Sequence, residues 1–132
     1  MSIAFKTALE LAAGIKAGEF SSQELTELYI ERIERYDDKV NAVVVRTFDD
    51  ARARAQAADA ALAEGRDLGP LHGLPMTIKE SYVIADTPAT WGHEGFRDNV
   101  ASEDGLAVKR FRSAGAHFLG KTNVPTDLAD FQ

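Results

Sequence analysis

The sequence contains no cysteine, which excludes a disulfide framework, a thiolate zinc site and a cysteine nucleophile. It has no apolar run approaching 18 residues, so no membrane-spanning helix is expected. The opening residues Met1-Ser2-Ile3-Ala4-Phe5-Lys6 lack the long apolar stretch of a secretory signal, and a cytoplasmic setting is the expectation. Basic charge is not in excess either: 15 Lys and Arg face 21 Asp and Glu, for a net charge of −6 that is shared evenly between the two halves of the chain. No basic face is left for nucleic acid or an anionic membrane, and neither is expected as a partner. Histidine is sparse, and His72, His93 and His117 are too far apart for a ligand spacing such as H-E-x-x-H. No metal and no cofactor is expected, and each histidine is read as a structural or surface residue.

What remains is the composition of an ordinary globular domain, 45% hydrophobic and 27% charged, in a chain of 132 residues that suits one core. Thr7 with Glu10 and Ser21 with Glu24 form two capping-box pairs, each followed by apolar residues at helical spacing. The first helix carries Ala8, Leu11, Ala12 and Ile15 on one face and ends near Gly18. The second carries Leu25, Leu28, Tyr29, Ile33 and Tyr36 and should run to about Asp37. A β-branched run at Ala42–Arg46 reads as a buried strand. Residues 49–64 read as an alanine-rich helix stopped by Gly65. Gly69-Pro70-Leu71-His72-Gly73-Leu74-Pro75 excludes helix and marks a shaped loop, after which Met76-Thr77-Ile78-Lys79 is a brief strand. Residues 80–100 show no period and are expected to be a long ordered loop. Ser102 is expected to cap a helix with Glu103 and Asp104 in its first turn and Leu106, Ala107, Arg110, Phe111 and Ala114 inside, before a strand at His117–Leu119. Strand, helix, strand with short links argues for a largely parallel sheet covered by helices.

Lys79 is the candidate catalytic residue. It ends a strand directly after a glycine- and proline-rich loop, where parallel sheets gather their ligands. Desolvated there, its amine would drop from roughly 10.4 towards 7 to 8 and accept a proton at working pH. The plainer reading is a strand-end lysine reaching into water, and pattern alone does not decide between them.

The segment from Gly69 to Lys79 closely resembles the block that carries the catalytic lysine in the amidase signature family of serine hydrolases. Ala85-Asp86-Thr87-Pro88-Ala89-Thr90-Trp91-Gly92 is similar to the element that follows this lysine strand, and Gly120-Lys121-Thr122-Asn123-Val124-Pro125 is similar to a later strand exit. Ser21-Ser22-Gln23-Glu24-Leu25 is similar to the family's N-terminal helix. The resemblance implies a partial α/β/α sandwich with a mixed, largely parallel sheet. In domain terms it makes residues 1–132 the N-terminal part of a single amidase domain, helical over 1–40 and α/β over 41–132. It also implies hydrolysis of a small-molecule amide by a serine, cis-serine, lysine triad, with Lys79 as proton acceptor and backbone N–H groups holding the oxyanion.

Both triad serines belong to a Gly/Ser-rich stretch that this sequence does not contain, and the chain ends at Asp130-Phe131-Gln132 before that stretch is expected. Ser21-Ser22 lacks flanking glycines and cannot replace it. The chain alone is therefore expected to be inactive, and substrate-binding residues stay unassigned. The alternative is a non-enzymatic truncated chain or subunit that needs a partner, with self-association through an exposed sheet edge. Glu80, Asp86 and Ala89 stand where aspartate, glycine and threonine are common in the family, which leaves the substrate subgroup open. Gly115-Ala116-His117-Phe118-Leu119-Gly120-Lys121-Thr122 also satisfies the P-loop pattern of a nucleotide binder, but with helix before it and strand inside it the context is wrong. Trp91 and Phe96 are read as packing residues of the long loop, with lining of a substrate channel as the alternative.

Overall fold

The computed structural model describes residues 3–129, so the expected domain limits and the terminal Asp130, Phe131 and Gln132 lie outside the described residues. Both capping boxes form. Thr7 Oγ1 accepts the Glu10 N–H at 3.3 Å while the Glu10 carboxylate accepts the Thr7 N–H at 2.7 Å, which opens α1, Ala8–Ala17. Gly18, at φ 71°, closes it in the left-handed conformation. The same exchange between Ser21 and Glu24 opens α2, Ser22–Tyr36.

Asp37, where α2 was expected to stop, is buried and turns the chain: its carboxylate accepts the N–H of Ala42 at 2.7 Å and that of Val43. This leads into β1, Val43–Arg46, and then α3, Phe48–Ala63. β2 is Pro75–Lys79, α4 is Leu106–Ser113 and β3 is His117–Thr122.

The strand order is β1-β3-β2, with β3 parallel to β2 and antiparallel to β1. The sheet is mixed as expected, and the parallel character lies in the β2/β3 pair. Successive side chains of β3 point to opposite faces and bury against different helices. Leu119 packs with Ile30 of α2 and Ala51 of α3. Phe118 packs with Ile78, Ile84 and Val108 of α4. A third cluster, Leu11, Ile15, Leu25 and Leu74, docks α1 and α2 against the chain entering β2. Ala51, Ala55, Ala58 and Ala61 are the buried residues of α3, small side chains that let its backbone lie close to the sheet.

The C-terminal half corrects two expectations. α4 begins at Leu106 with Gly105 as N-cap rather than at Ser102. Asp104 is drawn away from a capping role because its carboxylate accepts the Ala85 N–H at 2.8 Å and pairs with Arg112 at 2.9 Å. The inner residue of α4 is accordingly Val108, while Leu106 is 65% exposed. β3 runs three residues further than expected, so Gly120, Lys121 and Thr122 are strand. That removes the P-loop reading, which needs those residues in a loop ahead of a helix.

Candidate active site

The loop before β2 is fixed from three sides. His72 is fully buried; the Leu68 N–H donates to its Nδ1 at 3.0 Å, which leaves Nε2 to donate to the Ala58 carbonyl of α3 at 3.0 Å. Gly73 takes φ 67°, and a Cβ there would meet Ser22 at 2.9 Å. In that space Ser22 Oγ donates to the Gly73 carbonyl at 2.6 Å, and the Gly73 N–H donates to the Gly115 carbonyl at 2.9 Å. Asp59 of α3 in turn holds the start of α2 by accepting the N–H of Ser22 at 2.7 Å and of Gln23 at 3.0 Å. α2, α3 and the turn after α4 together set where β2 starts and hence where it ends.

Lys79 is the last residue of β2, in register with Thr122 of β3. Alternation separates it from its neighbours: Ile78 and Glu80 are buried and Lys79 is exposed. Among the described residues none of the hydrogen bonds or ion pairs involves its ammonium. Of the serines singled out in the sequence, Ser21 caps α2 and Ser22 is buried against Gly73, so neither lies free for Lys79.

The buried lysine is Lys121, on β3. It is fully enclosed, its ammonium donates to the Pro88 carbonyl, and the Glu80 carboxylate lies 3.6 Å away. Burial pushes its pKa down, and Glu80 partly opposes that shift. Glu80, 3% exposed, also accepts the N–H of Thr90 at 2.7 Å, the Thr90 hydroxyl at 3.2 Å and the N–H of Trp91 at 2.9 Å. Residues 80–100 are thus an ordered excursion as expected, closed on itself by an antiparallel bridge between Pro88 and Val100. The sequence marked Glu80 as a departure from the family pattern and Lys121 as part of the strand-exit block and of the P-loop decoy, and assigned neither a role in the site. The available signal was the parity of Glu80, which places it on the face opposite Lys79.

Trp91 and Phe96, expected to pack, are 45% and 52% exposed and line a hollow of about 350 Å³ with Ala89 and Asn99. The three histidines do not meet. His117 is buried against Thr26 Oγ1 at 2.9 Å, with its pKa lowered to about 4 chiefly by burial and next by Arg54. His93 is exposed, and its Nδ1 accepts the Gly95 N–H. Among the described residues no group of three His, Cys, Asp or Glu could hold a metal, and no helix is long and apolar enough to cross a membrane.

The chain matches a known family on both sequence and structure. The family described as Amidase matches residues 24–130. The chain is 37% identical over 121 residues to an acylamidase of Rhodococcus erythropolis, covering 90% of this chain and 25% of that one. It is 40% identical over 119 residues to a subunit of the glutamyl-tRNA(Gln) amidotransferase of Halorhodospira halophila, covering 90% of this chain and 24% of that one. The crystal structure of a bacterial aryl acylamidase of the amidase signature family superposes with a TM-score of 0.87 at 28% identity, over 93% of this chain and 26% of that one. The chain belongs to the amidase signature family. It spans about a quarter of the length of the relatives it matches.

Proposed function

We propose that this chain provides the lysine-bearing N-terminal part of a cytoplasmic amide hydrolase, in which Lys79 accepts the proton of a nucleophilic serine through a bridging serine. The observation that carries this reading is the position of Lys79, exposed at the C-terminal end of the parallel β2/β3 pair with no hydrogen-bond or ion-pair partner for its ammonium among the described residues. A proton acceptor must be neutral and next to its serine. Additional chain carrying both serines would close over the exposed side, desolvate the amine and supply the oxyanion donors. The substrate is a small-molecule amide, R–CO–NH2, giving carboxylate and ammonia. Residues 1–132 by themselves have the base without the nucleophile and do not turn over amides. The two sheet edges, β1 and β2, are left to self-associate or to pair with whatever completes the sheet.

The test joins residues 1–132 to the matching remainder of the R. erythropolis acylamidase and measures ammonia release. Lys79→Ala lowers kcat about 10³-fold or more with KM less affected. Lys79→Arg is nearly as damaging, because guanidinium stays protonated. Wild-type-like turnover in Lys79→Arg removes Lys79 from the mechanism. Lys79-dependent ammonia release by residues 1–132 alone overturns the claim that they are inactive without the serines.

A further inference from the structure

Trp91 is a bulky residue at φ 54°, a left-handed backbone conformation that is strained for a side chain of this kind and persists only where its surroundings impose it. The surroundings here act on both of its peptide groups. Its N–H donates to Glu80 Oε2 at 2.9 Å, and its carbonyl accepts the Asp127 N–H at 2.9 Å. The Thr90 N–H, one residue earlier, donates to the other Glu80 oxygen at 2.7 Å. A carboxylate gripping two successive N–H groups in this way is itself buried, and it is tolerated because Lys121 lies beside it and ties the Pro88 carbonyl to the same point. Both charges lie on the face of the sheet opposite Lys79, so they cannot serve as its chemical partners.

We propose that Glu80 and Lys121 are a positioning pair: a charge-paired latch that holds the Thr90–Trp91 turn in its strained conformation and so fixes the Trp91 indole in the wall of the hollow that it lines with Ala89, Phe96 and Asn99. Its purpose rests on the amide-hydrolase reading, in which that hollow receives part of the substrate. The latch itself is tested without turnover, so its failure and the failure of that reading are distinguishable.

Trp91 is the sole tryptophan of the chain, so its fluorescence reports this turn alone. The experiment measures amide hydrogen exchange of residues 1–132 together with acrylamide quenching of Trp91, in the wild type, Glu80→Gln and Lys121→Met. Expected is exchange at Thr90 and Trp91 at least about tenfold faster in both variants, as loss of charge-assisted bonds implies, with a changed quenching constant. Ala89 and Ala101, whose N–H groups bond to the backbone carbonyls of Asn99 and Thr87 in the same loop, stay within about twofold. Unprotected Thr90 and Trp91 amides in the wild type overturn the proposal, as does acceleration spread equally over Ala89 and Ala101. If a single variant fails to fold, the Glu80→Gln/Lys121→Met double variant buries no lone charge and must show the same selective loss. Trp91→Gly gives the decisive comparison, since glycine adopts the left-handed conformation without strain. Glu80→Gln should then accelerate Thr90 exchange several-fold less in the Trp91→Gly background than in the wild type. Equal acceleration in both backgrounds means that the pair does not restrain Trp91.

Discussion

At the entry to β2 the buried contacts that shape the Gly73 turn are neutral, with the Asp59 carboxylate acting one step back on the start of α2: a serine hydroxyl on the Gly73 carbonyl, a histidine between the Leu68 N–H and the Ala58 carbonyl, and a glycine backbone packed where a Cβ would not fit. At its exit the fastening is ionic, with the Glu80 carboxylate and the Lys121 ammonium both buried and both bonded to loop backbone. Neutral bonds are individually modest and depend on shape. Buried charges depend on each other, because removing one leaves the other unpaired. The entry therefore tolerates loss of a single polar atom but not of its spacing, and the exit tolerates neither partner alone. Lys79 sits between them, held in place by both ends, with its ammonium bonded to neither.

The largest expected effect falls on the spacing of the entry. Gly115 takes φ 96°, and a Cβ there would come within 2.8 Å of the His72 Cα, so Gly115→Ala combines backbone strain with a clash and should cost about 3 kcal/mol in urea unfolding. A cost below about 1 kcal/mol means that the entry is softer than its contacts imply.

Acid attacks next at the start of β3, where His117 pairs with Pro75 beside that entry. Neutral His117 is stabilised by the fold, with its pKa lowered from 6.5 to about 4, so the unfolded chain binds more protons between those values. The corresponding stability is fully present above about pH 6.5 and is lost as the pH falls towards 4, a loss of about 3 kcal/mol at most. His117→Gln should flatten the pH dependence of the unfolding free energy over that window. An unchanged slope would assign the acid sensitivity to other groups.

Ser22→Ala removes the hydroxyl donor to the Gly73 carbonyl and should cost about 1 kcal/mol by chemical denaturation, with the helical content retained. A loss as large as that of Gly115→Ala would erase the distinction between polar atom and spacing. The smallest effect belongs to Lys79 itself: with an exposed side chain, Lys79→Arg should change the stability of residues 1–132 by about 0.5 kcal/mol or less. A larger cost would show that its ammonium is engaged in holding the strand.

Local signals carried much of this fold. The capping boxes of α1 and α2, the stops at Gly18 and Gly65 and the alanine face of α3 each depend on residues within one or two helical turns, and all three helices lie within a residue or so of where those signals put them. The start of α4 did not, because Asp104, a good first-turn residue in isolation, is claimed by Ala85 and Arg112. The length of β3 was also hidden, since Gly120, Lys121 and Thr122 have little strand character until β1 and β2 pair with them.

Within the site the same division holds. The sequence by itself determined which residue ends the lysine strand and, through the Gly69–Lys79 block, which family the chain belongs to, because a turn-forming segment followed by a strand is written in consecutive residues. Only the tertiary structure decided which lysine is buried. Lys79 and Lys121 are equally polar, and burial depends on what faces each: open space beside the last residue of β2, and for Lys121 the carboxylate of Glu80 and the carbonyl of Pro88, both remote from it along the chain. Desolvation is a property of that enclosure, and the enclosure exists only when β2, β3 and the 81–100 segment come together.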